Sequence, residues 1–345
     1  MEAKPLAGVN LGGWLVLESW ITPSLFRGTD AEDEYTFCKQ AGADELKRLK
    51  HFRDTFITRP DFEWLAAHGI QAVRLPVGYW MFGDAAPYAP TVSYVDKAFQ
   101  WAQETGIRVL IDLHGAPGSQ NGWDHSGQKG HTGWGHNADD IPITLKVIRM
   151  IAKRYGKHPA LLGISLLNEP SPLIPKTRLL DYYKEAYATV RELCGDDVWV
   201  VYSDGYLPWR WRRELPRGQF KQALVDTHRY QVFSPLDKLL PAKLNLLRTR
   251  WLLPRSLVRL RKHHPIIVGE WSLTLGNSSR NPAASRHGLA RTYAQLQLRA
   301  FRPMAAWFFW TYRTEDDGTW SFRDCVETGR LESPGDVFQT PDAIQ

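Results

Sequence analysis

LLGISLLNEP, Leu161–Pro170, is the stretch on which the fold of this chain turns. Its apolar run is continuous rather than alternating and too short for a surface helix, which is the pattern of a parallel strand buried on both faces. The run stops abruptly at Asn168 and Glu169, and Pro170 forbids continuation as a helix. An amide and a carboxyl therefore stand side by side at the C-terminal end of a buried strand. In parallel α/β folds that end is where ligands bind.

Seven other stretches read as strands: Leu6–Trp14, Ile70–Gly78, Arg108–Gly115, Val198–Asp204, Ala223–Tyr230, Pro265–Trp271 and Met304–Tyr312. Helical periodicity lies between them, at Val92–Thr105, Ile143–Tyr155 and Thr177–Leu193; in the second, Ile143, Val147, Ile148, Ile151 and Tyr155 share one face. Eight β/α units in 345 residues predict an α/β protein of the (β/α)8 TIM-barrel class, with a doubly wound sheet as the alternative. No Pro/Gly/Ser-rich linker or low-complexity tract divides the chain, so residues 1–345 are expected to form a single domain. A charge-rich helical segment at about 30–58, ahead of the first regular helix at Pro60–His68, is expected to pack outside the barrel.

Composition narrows the chemistry. Three cysteines, Cys38, Cys194 and Cys325, are odd in number and widely spaced, which suits neither a disulfide framework nor a metal-ligand cluster; no metal and no cofactor are expected. The 15 Trp and 13 Tyr are many for this length and suit stacking on flat ligands, although most such rings fill cores. Nucleic-acid binding is suggested only by the net charge of +6 and a pI near 9.1, without a recognised motif, and is not expected. Met1 to Ala7 lacks a long apolar core and no run of about 18 apolar residues occurs. As it stands the sequence predicts a cytoplasmic monomer, or a secreted or periplasmic one where a signal peptide has been removed.

The residues at the strand ends carry the functional reading. Arg74 follows the second strand, His114 the third, Asn168 and Glu169 the fourth, His228 and Tyr230 the sixth, Glu270 the seventh and Trp310 the eighth. Taken singly, each has a plainer explanation: a helix cap, a satisfied core histidine, an arginine paired with a structural carboxylate, a tryptophan in the aromatic run AAWFFWTY. Six of eight strands ending in polar or aromatic groups is improbable if those ends serve packing alone. In a barrel all of them face one pocket, and glutamates at the ends of the fourth and seventh strands point at each other across its mouth. Cleavage of a glycosidic bond needs such a pair, one a protonated acid and the other an ionised nucleophile or base.

GVNLGGWLVLESWITPSLF (Gly8–Phe26), VRLPVGYW (Val73–Trp80), LHGAPGSQNGWDHSG (Leu113–Gly127), HRYQVFSP (His228–Pro235), IIVGEWSL (Ile266–Leu273) and the pieces around Phe309–Phe322 resemble, in order and over nearly the whole chain, the exo-β-1,3-glucanase branch of glycoside hydrolase family 5. The resemblance implies a retaining mechanism with Glu169 as acid/base and Glu270 as nucleophile. It implies that Arg74, His114, Asn168, His228, Tyr230 and Trp310 surround the sugar in the −1 subsite. Glu18 and Asp124 match positions that close the pocket at the non-reducing end, and Trp123 and Phe233 match aromatics that clamp the next glucose. On these assignments Asn168 would bond the 2-hydroxyl, Arg74 would keep Glu270 ionised, the less compensated Glu169 would hold its proton, and Trp310 would floor the sugar. The expected substrate is a β-glucan, cleaved at β-1,3 linkages from its non-reducing ends; β-1,6-linked glucans, glucosides of lipids or small aglycones, and transglycosylation in place of hydrolysis, are the alternatives. A silent carbohydrate-binding barrel has no need of both glutamates. The connection from Gly276 to about Ala284 is short, and the segment after Pro235 departs from the resemblance.

That segment, KLLPAKLNLLRTRWLLPRSLVRLRK (Lys238–Lys262), holds eight cations and no acid, and removing them would take the formal charge from +6 to −2. The plain expectation is the barrel's sixth helix with leucines inward and arginines solvated. The alternative is an interfacial amphipathic element, broken by Pro254 into two pieces, that touches an anionic membrane or polysaccharide surface.

Overall fold

The computed structural model describes residues 4–278, 283–316 and 318–337. Strands β1 (Leu6–Asn10), β2 (Ala72–Gly78), β3 (Arg108–Gly115), β4 (Leu161–Ser165), β5 (Trp199–Ser203), β6 (Ala223–Gln231), β7 (Ile266–Leu275) and β8 (Ala306–Phe309) pair in sequence order, and β1 closes on β8. All pairings are parallel. The expected (β/α)8 barrel is what forms, a helix following nearly every strand.

Period-two alternation sorts each strand's side chains into layers inside the barrel. Ala72, Leu110, Leu162, Val201, Leu224, Ile267, Ala306 and Phe308 make an apolar plug to which β2 through β8 all contribute. Burying a Leu or Ile there contributes about 1.5–3 kcal/mol apiece. Two residues further along the same inward faces stand Arg74, Asp112 and Asp226, and two further again on β3 and β6 stand His114 and His228. The plug is thus the base on which a polar floor is built. The larger core lies outside the strands, where helices such as Val92–Thr105, Asp140–Tyr155 and Lys176–Cys194 bury one face each.

The segment expected as an extra helical piece forms two helices, Glu34–Gln40 and Ala43–Thr55. It does more than coat the barrel. Glu34 and Arg53, both buried, form a 2.7 Å ion pair, and Glu34 also accepts from the Leu17 amide and Trp80 Nε1. Tyr35 and Lys129 amides bond to Gly127 and Asp33 across to the loop after β3. The insertion therefore braces the mouth loop that carries Trp123 to Ser126.

The basic segment is helical as the plain expectation has it, with its leucines divided between an inward and an outward face, and it lacks the break that the alternative reading places at Pro254. It folds as a short helix, Pro235–Leu239, and then one continuous helix, Ala242–Arg261, with Pro254 inside it rather than at a break. Its buried residues include Ala242, Asn245 and Thr249, while Leu244, Leu247, Trp251 and Leu252 are exposed. The inward face is held by polar bonds: Asn245 Nδ2 donates to the Asp237 carbonyl at 2.9 Å and Thr249 Oγ1 to Gln231 Oε1 at 2.7 Å. Leu257 and Leu260 are buried and Leu246 and Leu253 pack partly against the core, while the polar inward positions Asn245 and Thr249 leave Leu244, Leu247 and Leu252 outside. Part of the short connection after Gly276, residues 279–282, lies outside the described residues.

Candidate active site

Regular pairing of β4 stops at Ser165, so Asn168 and Glu169 lie beyond the strand and not in it. Glu169 has φ 42°, in the left-handed region that L-residues seldom occupy, and the turn aims its carboxyl into the pocket. Two amides of the GSQN loop hold this backbone. Gln120 Nε2 donates to the carbonyls of His114 (2.7 Å) and Asn168 (2.9 Å), and Asn121 Nδ2 donates to that of Glu169 (3.1 Å).

Arg74 is the centre of the floor. Its guanidinium lies 3.1 Å from Glu270 Oε1, 3.0 Å from Asp112 and 3.6 Å from Asp226, and it donates to Asn10 Oδ1 (3.0 Å) and Asn168 Oδ1 (2.8 Å). Removing one partner from so buried a set would cost about 3–5 kcal/mol. Asp112 and Asp226 each orient a histidine two residues on: His114 Nδ1 sits 2.6 Å from Asp112 Oδ2, and His228 Nε2 3.4 Å from Asp226 Oδ2. Asn168, its oxygen committed to Arg74, has its Nδ2 3.3 Å from His114 Nε2 and keeps one further N–H to donate. Trp310 stacks parallel to His114 with ring centroids 5.5 Å apart. Two glycines make room: a Cβ on Gly12 would meet the Trp310 ring at 2.8 Å, and one on Gly269 would meet Asp226 Oδ1 at 2.1 Å.

The two glutamates converge as their strand positions require. One atom each from Glu169, His228 and Glu270 lies within 4.8 Å of the others. Tyr230 donates to Glu270 Oε2 at 2.8 Å. His228 Nδ1 is 2.5 Å from Glu169 Oε1 and 3.4 Å from Glu270 Oε2. His125 Nε2 approaches Glu169 Oε2 at 3.3 Å, and the Tyr206 hydroxyl also bonds Glu169.

These contacts overturn one expectation, that Glu169 is the less compensated carboxyl. Burial by itself would raise its pKa, but the charge and hydrogen bond of His228 outweigh burial and hold it below the usual carboxylate range. His228 is raised well above 6.5: burial opposes this, and Glu270, Asp226 and Glu169 overcome it. Glu270 is raised by burial and by the charge of Glu169, against His228 and Arg74. These directions favour His228 as the holder of the proton that an acid would deliver, across one short hydrogen bond from Glu169. His125 is pushed down to about 4 by burial above all, and stays neutral.

Glu18 is buried beside this group. Trp20 Nε1 donates to its Oε2 at 2.9 Å, its Oε1 has no partner among the described residues, and burial followed by the charge of Asp124 raises its pKa well above 4.5. Asp124 stands on the mouth loop, where its Oδ1 accepts from the His125 amide. Trp123 and Phe233 project from the rim, 57% and 60% exposed. Phe233 belongs to an aromatic wall with Tyr230 (5.3 Å) and Trp320 (6.1 Å), and Trp320 in turn meets Trp20 at 5.4 Å.

All twelve residues expected at the site stand at this end of the barrel or on its rim. Several that belong with them were not anticipated: Asn10, Asp112, Gln120, His125, Tyr206, Asp226 and Trp320. A signal for two of these exists in the sequence, since Asp-x-His occurs at Asp112–His114 and Asp226–His228, and a strand places such a pair on one face. His125 and Tyr206 come from loops, where no periodicity announces a direction.

Comparison with known proteins gives a consistent result. The cellulase model of glycosyl hydrolase family 5 matches residues 39–316. The chain is 34% identical to the probable glucan 1,3-β-glucosidase A of Aspergillus niger, covering 94% of this chain and 86% of that protein. It is 33% identical to the glucan 1,3-β-glucosidase of Lachancea kluyveri, covering 97% and 88%. Its fold is similar to the crystal structure of rutinosidase from Aspergillus niger, with TM-score 0.79 and 21% identity over 95% of this chain and 98% of that one.

Proposed function

Since the chain belongs to glycosyl hydrolase family 5, we propose that it is a retaining exo-β-1,3-glucanase that releases glucose from the non-reducing ends of β-glucans. The observation that carries retention is the separation of the two carboxyls. Retaining enzymes hold them about 5–5.5 Å apart, whereas inverting ones leave about 6.5–9.5 Å for a water. One oxygen of Glu169 and one of Glu270 lie within 4.8 Å of each other, on the retaining side of that divide.

In this scheme Glu270, with both oxygens held by Arg74 and Tyr230, attacks the anomeric carbon. Glu169 protonates the departing glycosidic oxygen with the proton that it shares with His228. The C–O bond to the leaving sugar breaks as the Glu270 ester forms. With the shared proton gone to the leaving sugar, Glu169 is ionised and His228 neutral, and loss of the Glu270 charge removes the largest of the charges that raise His228. Glu169 takes a proton from water, the water oxygen attacks the anomeric carbon from the side the leaving group vacated, the bond from that carbon to Glu270 breaks and restores the carboxylate, and glucose departs with its β configuration retained. The spare Asn168 N–H suits the 2-hydroxyl, and the Trp310 face suits the sugar ring. Glu18, whose raised pKa favours its neutral form, and Asp124 suit hydroxyls at a closed non-reducing end, which supports chain-end cleavage. The glucan 1,3-β-glucosidases named above support the linkage. Every side chain the scheme needs comes from one barrel, which supports a monomer as the working unit.

The test is product analysis on laminarin, lichenan, pustulan and cellulose. Release of glucose from laminarin alone, as the β anomer by NMR before mutarotation, is expected. The α anomer as first product would overturn retention, laminari-oligosaccharides as first products would overturn exo cleavage, and products longer than the donor would mark a transglycosylase.

The pKa directions set a pH profile for kcat/KM on laminarin. Activity falls on the acid side as Glu270 takes up a proton, at a pH above the ordinary carboxylate value because its pKa is raised. It falls on the alkaline side as the Glu169–His228 pair loses its shared proton, at a pH above 6.5 because His228 is raised. An alkaline limb below 6.5 would contradict the shared-proton arrangement.

Trp123→Ala should raise KM for laminari-oligosaccharides by about tenfold, the worth of one stacked ring at about 1–1.5 kcal/mol, and leave a small aryl glucoside within about twofold. Equal losses on both substrates, with a lower Tm, would show that Trp123 merely props its loop.

A further inference from the structure

The helix Ala242–Arg261 presents an apolar stripe to solvent. Leu244, Leu247, Trp251 and Val258, spaced three, four and seven residues apart, lie on the face opposite the buried Ala242, Asn245, Thr249 and Leu260, with Leu252 at the stripe's edge. The preceding turn extends it through Leu236 and Leu239, the latter 75% exposed, toward Phe233 at the pocket rim. Contiguous exposed apolar surface of this kind marks an interaction site rather than chance.

Charge decides what covers it. Arg255, Arg259 and Lys262 lie along the same face at helical spacing, and Lys238, Lys243 and Arg250 flank it. Arg248 is drawn inward, onto Asp237 at 2.7 Å, while Lys238, Lys243, Arg250, Arg255, Arg259 and Lys262 are exposed. The Arg250 and Arg255 guanidinium groups stand over the Trp251 ring at 5.3 Å and 5.8 Å, so that cation and apolar surface are interleaved side chain by side chain. At the far end of the helix a cavity of about 370 Å³ is lined by Trp209, Arg212, Arg259, Lys262 and His263, with no carboxylate among them. A neutral glucan has no use for such charge, and water alone has no use for the leucines.

We propose that this face docks the protein on an anionic phospholipid bilayer, with Leu244, Leu247 and Trp251 entering the headgroup–acyl boundary and the Arg259–Lys262 cavity receiving a lipid phosphate. Interfacial helices bind membranes by this combination of apolar face and flanking Lys and Arg, and the basic residues make the attraction specific for anionic lipid and sensitive to salt. Docked in this way, the pocket rim at Phe233 lies beside the membrane. The active site works there on whatever glucan or glucoside the surface holds.

Sedimentation of the full-length protein with phosphatidylglycerol-containing and pure phosphatidylcholine vesicles tests this without any measurement of hydrolysis. The bound fraction at low salt should be at least about tenfold higher on the anionic vesicles and should collapse at about 0.5 M salt, where the screening length falls to a few ångströms. The triple variant Arg255→Glu, Arg259→Glu, Lys262→Glu should lose the binding. Leu247→Ser with Trp251→Ser should weaken it about tenfold at low salt. Both variants should keep wild-type hydrolysis of a soluble aryl glucoside, since none of these residues touches the pocket. Wild-type protein that stays in the supernatant with anionic vesicles at low salt overturns the proposal, and so does binding that the charge-reversed variant retains. A concentration-dependent dimer that Leu247→Ser with Trp251→Ser abolishes would show instead that a second copy covers the face.

Discussion

Glu270→Gln is expected to lower kcat/KM on laminarin by at least about four orders of magnitude, close to 5.5 kcal/mol of lost transition-state stabilisation at 1.36 kcal/mol per decade. The amide keeps the shape of the carboxyl and can still meet Arg74 and Tyr230, so the loss reports the missing nucleophile rather than a collapsed site. No substrate escapes it, because every glycoside needs the covalent step. Azide supplied to Glu270→Gly should restore cleavage of an activated aryl β-glucoside and give the α-glucosyl azide, a single displacement having replaced two. Activity of Glu270→Gln within tenfold of wild type on both laminarin and the aryl glucoside would remove Glu270 from the nucleophile's role.

Glu169→Gln separates its two duties by substrate. On laminarin, where the leaving sugar must be protonated, kcat/KM should fall by about 10²–10⁴, the usual worth of general acid catalysis. With a dinitrophenyl glucoside, whose leaving group needs no proton, kcat/KM should stay within about tenfold while kcat drops, because water now attacks the Glu270 ester without a base. Azide needs no base, and should raise kcat and yield the β-glucosyl azide. Equal losses in kcat/KM on the two substrates would show that Glu169 positions the sugar and does not move protons. His228 and His125 flank Glu169 at 2.5 Å and 3.3 Å. A neutral Gln at 169 removes the carboxylate that His228 pairs with, so the alkaline limb on laminarin should move to lower pH in what activity remains.

Other assignments ran ahead of the physics that supported them. Arg74 beside Glu270 was foreseeable, since both stand at strand ends and an arginine at a barrel floor has few other partners. That the same guanidinium also meets Asp112 and Asp226, and so fixes both histidines, was not. The helical insertion at 34–55 was legible as helix from its charge spacing. Its purpose, bracing the 123–129 loop through Asp33 and Tyr35, depends on contacts between residues roughly a hundred positions apart.

What the sequence determined by itself is what local chemistry and period impose. Eight short apolar runs between amphipathic helices limit the chain to a parallel sheet covered on both faces, a closed barrel or a doubly wound sheet, and the pairing of β1 with β8 closes it. Alternation along each strand then decides that Arg74, His114, His228 and Trp310 share one interior, and the break at Asn168–Pro170 places Glu169 opposite Glu270. Two further matters were left to tertiary structure, for one reason: each is a balance of interactions between elements that no single segment contains. The protonation of the two glutamates is one. His228 lies between them and pairs with Glu169, reversing the order expected from Arg74 alone. The facing of the helix Ala242–Arg261 is the other. Its leucines recur at a helical period compatible with either side: Leu257 and Leu260 turn inward, while Asn245 and Thr249 occupy other inward positions and leave Leu244, Leu247 and Leu252 outside.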